Sequence, residues 1–173
     1  MKLSVLLVFF GLVLVRPVEA QSTILSMQDD QVFHVGDPSS PVSRIAITSN
    51  GSSITATQNI RILIHEDSHL EWDTSVTYLS ISGDASYKVN PVVSYPNSKT
   101  LLIDVLSTFS LNQFIHINGA RFKNFSLMSV PKPLGLDDSG DGLFDQKSAQ
   151  FISIGGVPTI SSRENQKFDL NDT

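Results

Sequence analysis

Four stretches of the chain alternate apolar and polar positions at period two. Ile45 and Ile47 flank Ala46, Ile60, Ile62 and Ile64 are separated by Arg61 and Leu63, Leu101, Ile103 and Val105 by Leu102 and Asp104, and Ile115 and Ile117 by His116. Successive side chains of an extended chain point to opposite faces, so each stretch predicts a strand with one face in a core. Further strands are expected at 31–35, 76–82, 87–95, 121–129 and 150–154. Turn residues stand between them: Gly36-Asp37-Pro38, Asn50-Gly51, Gly83-Asp84, Pro96-Asn97 and Asn118-Gly119. No window of ten or more residues carries a helical period. Eight to ten short strands separated by turns predict an all-β chain, an antiparallel β-sandwich of immunoglobulin-like or cohesin-like type.

The first twenty residues follow a different pattern. Lys2 precedes a predominantly apolar run, Leu3 to Val15, followed by Arg16-Pro17 and Val18-Glu19-Ala20. A positive start, a short apolar run and small residues at −3 and −1 form a secretory signal peptide, with cleavage expected after Ala20. The run is too short for a ~30 Å hydrocarbon core, and no later segment approaches the length of a spanning helix. The sequence therefore divides into a signal peptide (1–20), a β-sandwich domain (21–156) and a remainder (157–173).

That remainder echoes the start of the domain. Thr23-Ile24-Leu25-Ser26 followed by Gln31-Val32-Phe33 returns as Thr159-Ile160-Ser161-Ser162 followed by Gln166-Lys167-Phe168. An offset of about 135 residues suits a string of whole domains, so 157–173 reads as a linker and the beginning of a truncated second repeat.

Composition narrows the function. The chain holds 12 Lys and Arg against 17 Asp and Glu, a net charge of −5, which argues against nucleic acid and anionic membranes as partners. The absence of cysteine excludes disulfides, thiolate metal sites and a cysteine nucleophile, and in an exported domain leaves the core to supply the stability.

Ile54-Thr55-Ala56, Asn59-Ile60-Arg61-Ile62, Trp72-Asp73-Thr74, Lys88-Val89, Val93-Ser94-Tyr95, Lys99-Thr100-Leu101, Asp104-Val105, Ile117-Asn118-Gly119 and Asn124-Phe125 together resemble the β-sandwich repeat modules of long bacterial secreted or cell-surface, adhesin-like proteins. The resemblance spans roughly residues 31–154. It implies architecture and an extracellular or cell-surface place, and brings no catalytic residue. The segment His65-Glu66-Asp67-Ser68-His69-Leu70 departs from those repeats, which more often carry a short Pro-, Ala- and Gly-containing loop there.

Among local motifs, Asp137-Asp138-Ser139-Gly140-Asp141-Gly142-Leu143-Phe144-Asp145 is the strongest. Calcium takes six to eight oxygens, and alternate side chains of a tight turn can surround one point. Asp137, Ser139, Asp141 and Asp145 fall at positions 1, 3, 5 and 9 of such a loop, with Gly142 at position 6; Ser148 stands where a bidentate Glu would complete it. The competing reading is a solvated acidic hairpin. His65 and His69 have zinc-like spacing only on a helix, and here they flank a loop. No Gly-x-Ser-x-Gly nucleophile elbow and no phosphate-cradling loop is present, so no enzyme is expected. Asn50, Asn124 and Asn171 begin glycosylation sequons, which matter only in a eukaryotic secretory pathway.

Three functional expectations follow. The first is a non-catalytic, extracellular structural or adhesive module in contact with neighbouring domains, a protein or a carbohydrate surface. The second is a carbohydrate-binding module, which needs an exposed aromatic among Trp72, Tyr78, Tyr87 and Tyr95. The third is a cohesin-like protein-docking domain, which needs an exposed apolar sheet face.

Overall fold

A computed structural model of the protein describes residues 23–50 and 54–157. The expected signal peptide and nearly all of the expected second repeat lie outside the described residues.

The chain is all-β, and the described residues form thirteen strands, numbered β1 to β13 in chain order, and one 3-10 turn at Ser86–Lys88. One sheet has the order β1 (Ile24–Met27), β4 (Ile45–Thr48), β10 (Phe114–Asn118), β7 (Ser80–Ser82). A larger one has the order β2 (Gln31–His34), β13 (Gln146–Gly155), β12 (Ser129–Asp137), β5 (Ile60–Leu63), β9 (Thr100–Val105), β8 (Val89–Asn97). A small third sheet joins β3 (Ser40–Pro41), β11 (Arg121–Lys123) and β6 (Glu71–Trp72).

The period-two residues meet as the pattern requires. Ile45, Ile47, Ile115 and Ile117 from the first sheet share one buried cluster with Ile60, Ile62, Leu101, Ile103 and Leu136 from the second. Facing sheets that bury their inner residues against each other form a β-sandwich. Each such side chain removed from water contributes about 1.5–3 kcal/mol before entropy is counted. At one end of the core, Trp72 tilts against Phe122 at 4.7 Å, Phe122 meets Phe33 edge-on at 5.8 Å, and Phe33 stacks on Phe125 at 4.7 Å. This aromatic row ties the small sheet to the sandwich.

Several boundaries differ from expectation. The strand expected at 76–82 is reduced to Ser80–Ser82 with an isolated bridge from Tyr78 to Val92, because residues 73–76 form a turn closed by the Val76 N–H on the Asp73 carbonyl at 3.1 Å. The strand expected at 121–129 stops at Lys123, where Asn124 adopts a φ of 58°. No strand is expected over 130–137, yet β12 runs through it despite Pro131 and Pro133, which lack the N–H that a ladder interior needs. Residues 129–133 pair with β13 alone, and β5 joins only at Gly135, Leu136 and Asp137. The prolines thus sit where one side of the strand needs no donor.

One pairing is parallel: β2 lies beside β13, with partners from Gln31–Ile152 to His34–Gly155. The first part of the described chain is thereby bonded to its last strand.

Candidate functional site

The acidic hairpin between β12 and β13 folds on its own carboxylates. Asp137, fully buried, accepts the Gly140 N–H at 2.5 Å and the Gly142 N–H at 2.9 Å, one on each oxygen. Gly140 and Gly142 both have φ near +85°, and these left-handed turns aim their N–H groups inward. The Arg61 guanidinium stands 3.9 Å from the same carboxylate and donates to the Gln58 carbonyl at 2.9 Å. Asp145 accepts the N–H groups of Asp138 and Ser139 at 2.9 and 2.8 Å, and Asp141 accepts that of Leu143 at 2.8 Å. The Ser139 hydroxyl points back to Asp137 at 3.4 Å.

The expected ligand set, Asp137, Ser139, Asp141 and Asp145, is therefore spread over the loop's own donors. Among the described residues no group of three or more His, Asp or Glu side chains is arranged to hold a metal ion. A cation entering here would have to displace backbone N–H groups and sit beside Arg61. The carboxyl groups that do meet are those of Asp138 and Asp145. Burial raises the pKa of Asp138, the hydrogen bond from the Thr23 hydroxyl opposes this, and the Asp145 carboxyl adds to the rise. Burial also works to raise Asp145, but the N–H of Ser139 and the Asp138 carboxyl outweigh it and leave its pKa below the usual value. Two carboxyls this close push each other's titration apart, Asp138 upward and Asp145 downward.

An open cleft of about 690 Å³ is lined by Asp37, Glu66, His69, Glu71, Lys99 and Lys123 among others. Its charges are largely engaged. Lys99 donates to the carbonyls of Ser68 and Leu70, and Glu71 accepts from the Asn124 amide at 2.6 Å. Beside it Asp73 is held below the usual carboxylate range by the Ser39 hydroxyl and then by Ser75, while Arg121 grips Ser39. These bonds fasten the loop after β2 to the small sheet.

His65 and His69 do not share a site. His65 lies 3.6 Å from Asp67 and edge-on to Phe144 at 6.1 Å, whereas His69 faces the cleft. His34 lies 3.9 Å from Asp37, and His116 packs on Phe114 at 4.9 Å.

The four aromatic candidates divide. Trp72 is fully buried and donates its indole N–H to the Lys99 carbonyl at 3.1 Å. Tyr95 is half-buried, donates to the Val76 carbonyl at 2.7 Å, and burial pushes its pKa up to about 12. Tyr78 and Tyr87 are 67% and 71% exposed. No helix among the described residues is long and apolar enough to cross a membrane. The sequence matches no protein-family model and no curated protein.

Proposed function

We propose that this chain is a non-catalytic, extracellular structural and adhesive module that transmits load between neighbouring domains of a secreted or surface protein. The observation carrying the reading is the parallel pairing of β2 with β13. Traction applied at the two ends of residues 23–157 pulls these strands in opposite directions along their lengths. The ladder bonds, with the Val35 N–H on the Gly155 carbonyl at 3.1 Å, then carry load together rather than breaking one by one. The export-type leader and the resemblance of residues 31–154 to adhesin-like repeats support the extracellular setting. The large buried aliphatic core supports a domain that stands without disulfides.

Single-molecule pulling tests the mechanical half. The chain has no cysteine, so Ile24→Cys with Val157→Cys gives unique handles in shear, and Val130→Cys with Gly156→Cys gives handles across the open end of the β12–β13 hairpin. The first pair should unfold at severalfold higher force; equal forces would sink the load-bearing role. N-terminal sequencing of protein recovered outside expressing cells tests the other half and should begin at Gln21. Retention inside the cell with Met1 in place would count against it.

A further inference from the structure

We infer that the groove between Tyr78 and Tyr87 is a binding site for a neutral oligosaccharide. The groove has a volume of about 320 Å³ and is lined by Tyr78, Ser80, Ile81, Ser86, Tyr87 and Pro91, with Leu79 beneath. Burial is the favourable state for an aromatic ring, yet both tyrosines are more than two-thirds exposed while Leu79 between them and the strand is fully buried. Their positions are fixed by the backbone. Tyr78 is held at β8 by its bridge to Val92, with the flanking Leu79 N–H on the Pro91 carbonyl at 2.9 Å, and Tyr87 sits in the 3-10 turn. Two rings on rigid backbone lose little freedom on binding.

The chemistry of the lining selects the ligand class. No side chain lining the groove carries a formal charge, so an anionic or cationic ligand would lose hydration without gaining a counter-charge. A pyranose presents C–H groups on one face, which suit the negative face of a tyrosine ring, and hydroxyls at its rim. Ser80 and Ser86 offer hydroxyls that both donate and accept, as sugar hydroxyls do. A proline-rich peptide would also stack on tyrosine, but its carbonyls need donors only. The Lys88 ammonium, 5.8 Å from the Tyr87 ring centre, is spent on the Thr108 carbonyl and Gln113. The inference rests on the adhesive reading only for where a sugar would be met, and the groove is testable independently of export or load.

Calorimetry and NMR titration of the mature chain with cellohexaose, xylohexaose, maltohexaose and mannohexaose test it. At least one should bind saturably, with shifts confined to residues around 78–91. Tyr78→Ala and Tyr87→Ala should each weaken binding about tenfold, with melting unchanged because both rings are exposed, and Tyr78→Phe should keep most of the affinity. No binding by any hexaose at about 10 mM would overturn the proposal. So would binding that survives the double alanine variant, or binding of a decaproline peptide in place of every sugar.

Discussion

Phe144 lies against Gly135. A β-carbon at Gly135 would stand 2.5 Å from Cγ and Cε1 of the Phe144 ring. The hairpin thus folds its tip back over the outer face of its own strand β12, on the same side as Arg61 and His65. Under this cover Leu63 and Asp137, which face outward from the six-stranded sheet, are buried.

Gly135→Ala must move the ring, because strand backbone cannot yield. The expected cost is about 1–3 kcal/mol, as for other overpacked sites. Phe144→Ala should remove most of that penalty, so the double variant should be less destabilised than the two single changes summed. Urea melts of the four proteins check this. Additive losses would mean the two positions do not press on each other.

The next expectation concerns Asp137. Replacing it with Asn turns one acceptor into a donor that faces the Gly140 or Gly142 N–H. A buried N–H left without its partner costs about 1–3 kcal/mol, and the Arg61 charge beside it loses its counter-ion. Asp137→Asn should therefore lower the melting temperature by several degrees. Because the N–H groups already occupy these oxygens, the native protein should melt at the same temperature in EDTA and in millimolar calcium. A rise with calcium that vanishes in Asp137→Asn would show a cation replacing those donors.

Two acids should bend the pH profile in opposite senses. Asp73 has its pKa lowered from 3.8 in the folded state, so the unfolded chain binds the proton more readily. Its stabilising contribution is present above pH 3.8 and is lost as pH falls through the folded value. Asp138 has its pKa raised from 3.8, so the folded chain binds the proton more readily. Its contribution is present below pH 3.8 and is lost as pH rises through the folded value. Asp73→Asn should be less stable than the native protein at pH 7, with the difference closing in acid. Asp138→Asn, whose amide can still donate to Asp145, should gain on the native protein as pH rises. Chemical denaturation at intervals from pH 2.5 to 7 reads both; parallel curves for all three proteins would refute the assignment.

What could be read from the residues follows a physical line. Ile45, Ile47, Ile60, Ile62, Leu101, Ile103, Ile115 and Ile117 alternate, and all are buried, because a strand with one wet face must repeat every two residues. Strand β12 was illegible because its prolines forbid a fully paired strand, and only tertiary pairing reveals that residues 129–133 have one neighbour. Counting positions gathers Asp137, Ser139, Asp141 and Asp145 on one turn but does not tell where backbone donors point: the positive φ of Gly140 and Gly142 turns their N–H groups onto Asp137, while Asp138 lies beside Asp145. Exposure of the four aromatic candidates stays open in the sequence, since a phenol carries its own polar end and no periodicity distinguishes a packed ring from one presented to solvent; Trp72 is fully buried, whereas Tyr78 and Tyr87 are exposed.

Trp72 gives the last test, and the most direct one of the core. It is the one tryptophan in the chain, fully buried, so its fluorescence reports whether the small sheet and the sandwich unfold together. Trp72→Phe keeps a ring against Phe122 but takes the N–H from the Lys99 carbonyl, losing a hydrogen bond worth about 0.5–1.5 kcal/mol and leaving space beside it. Trp72→Ala opens a large cavity and should cost about 3–5 kcal/mol. Against a usual total of about 5–15 kcal/mol, the alanine variant should be marginal or unfolded at 37 °C while the phenylalanine variant folds. Circular dichroism melts of the two variants, set against the native fluorescence transition, check the ordering. A small loss in Trp72→Ala would mean that the aromatic row linking Trp72, Phe122, Phe33 and Phe125 does not hold the third sheet to the core.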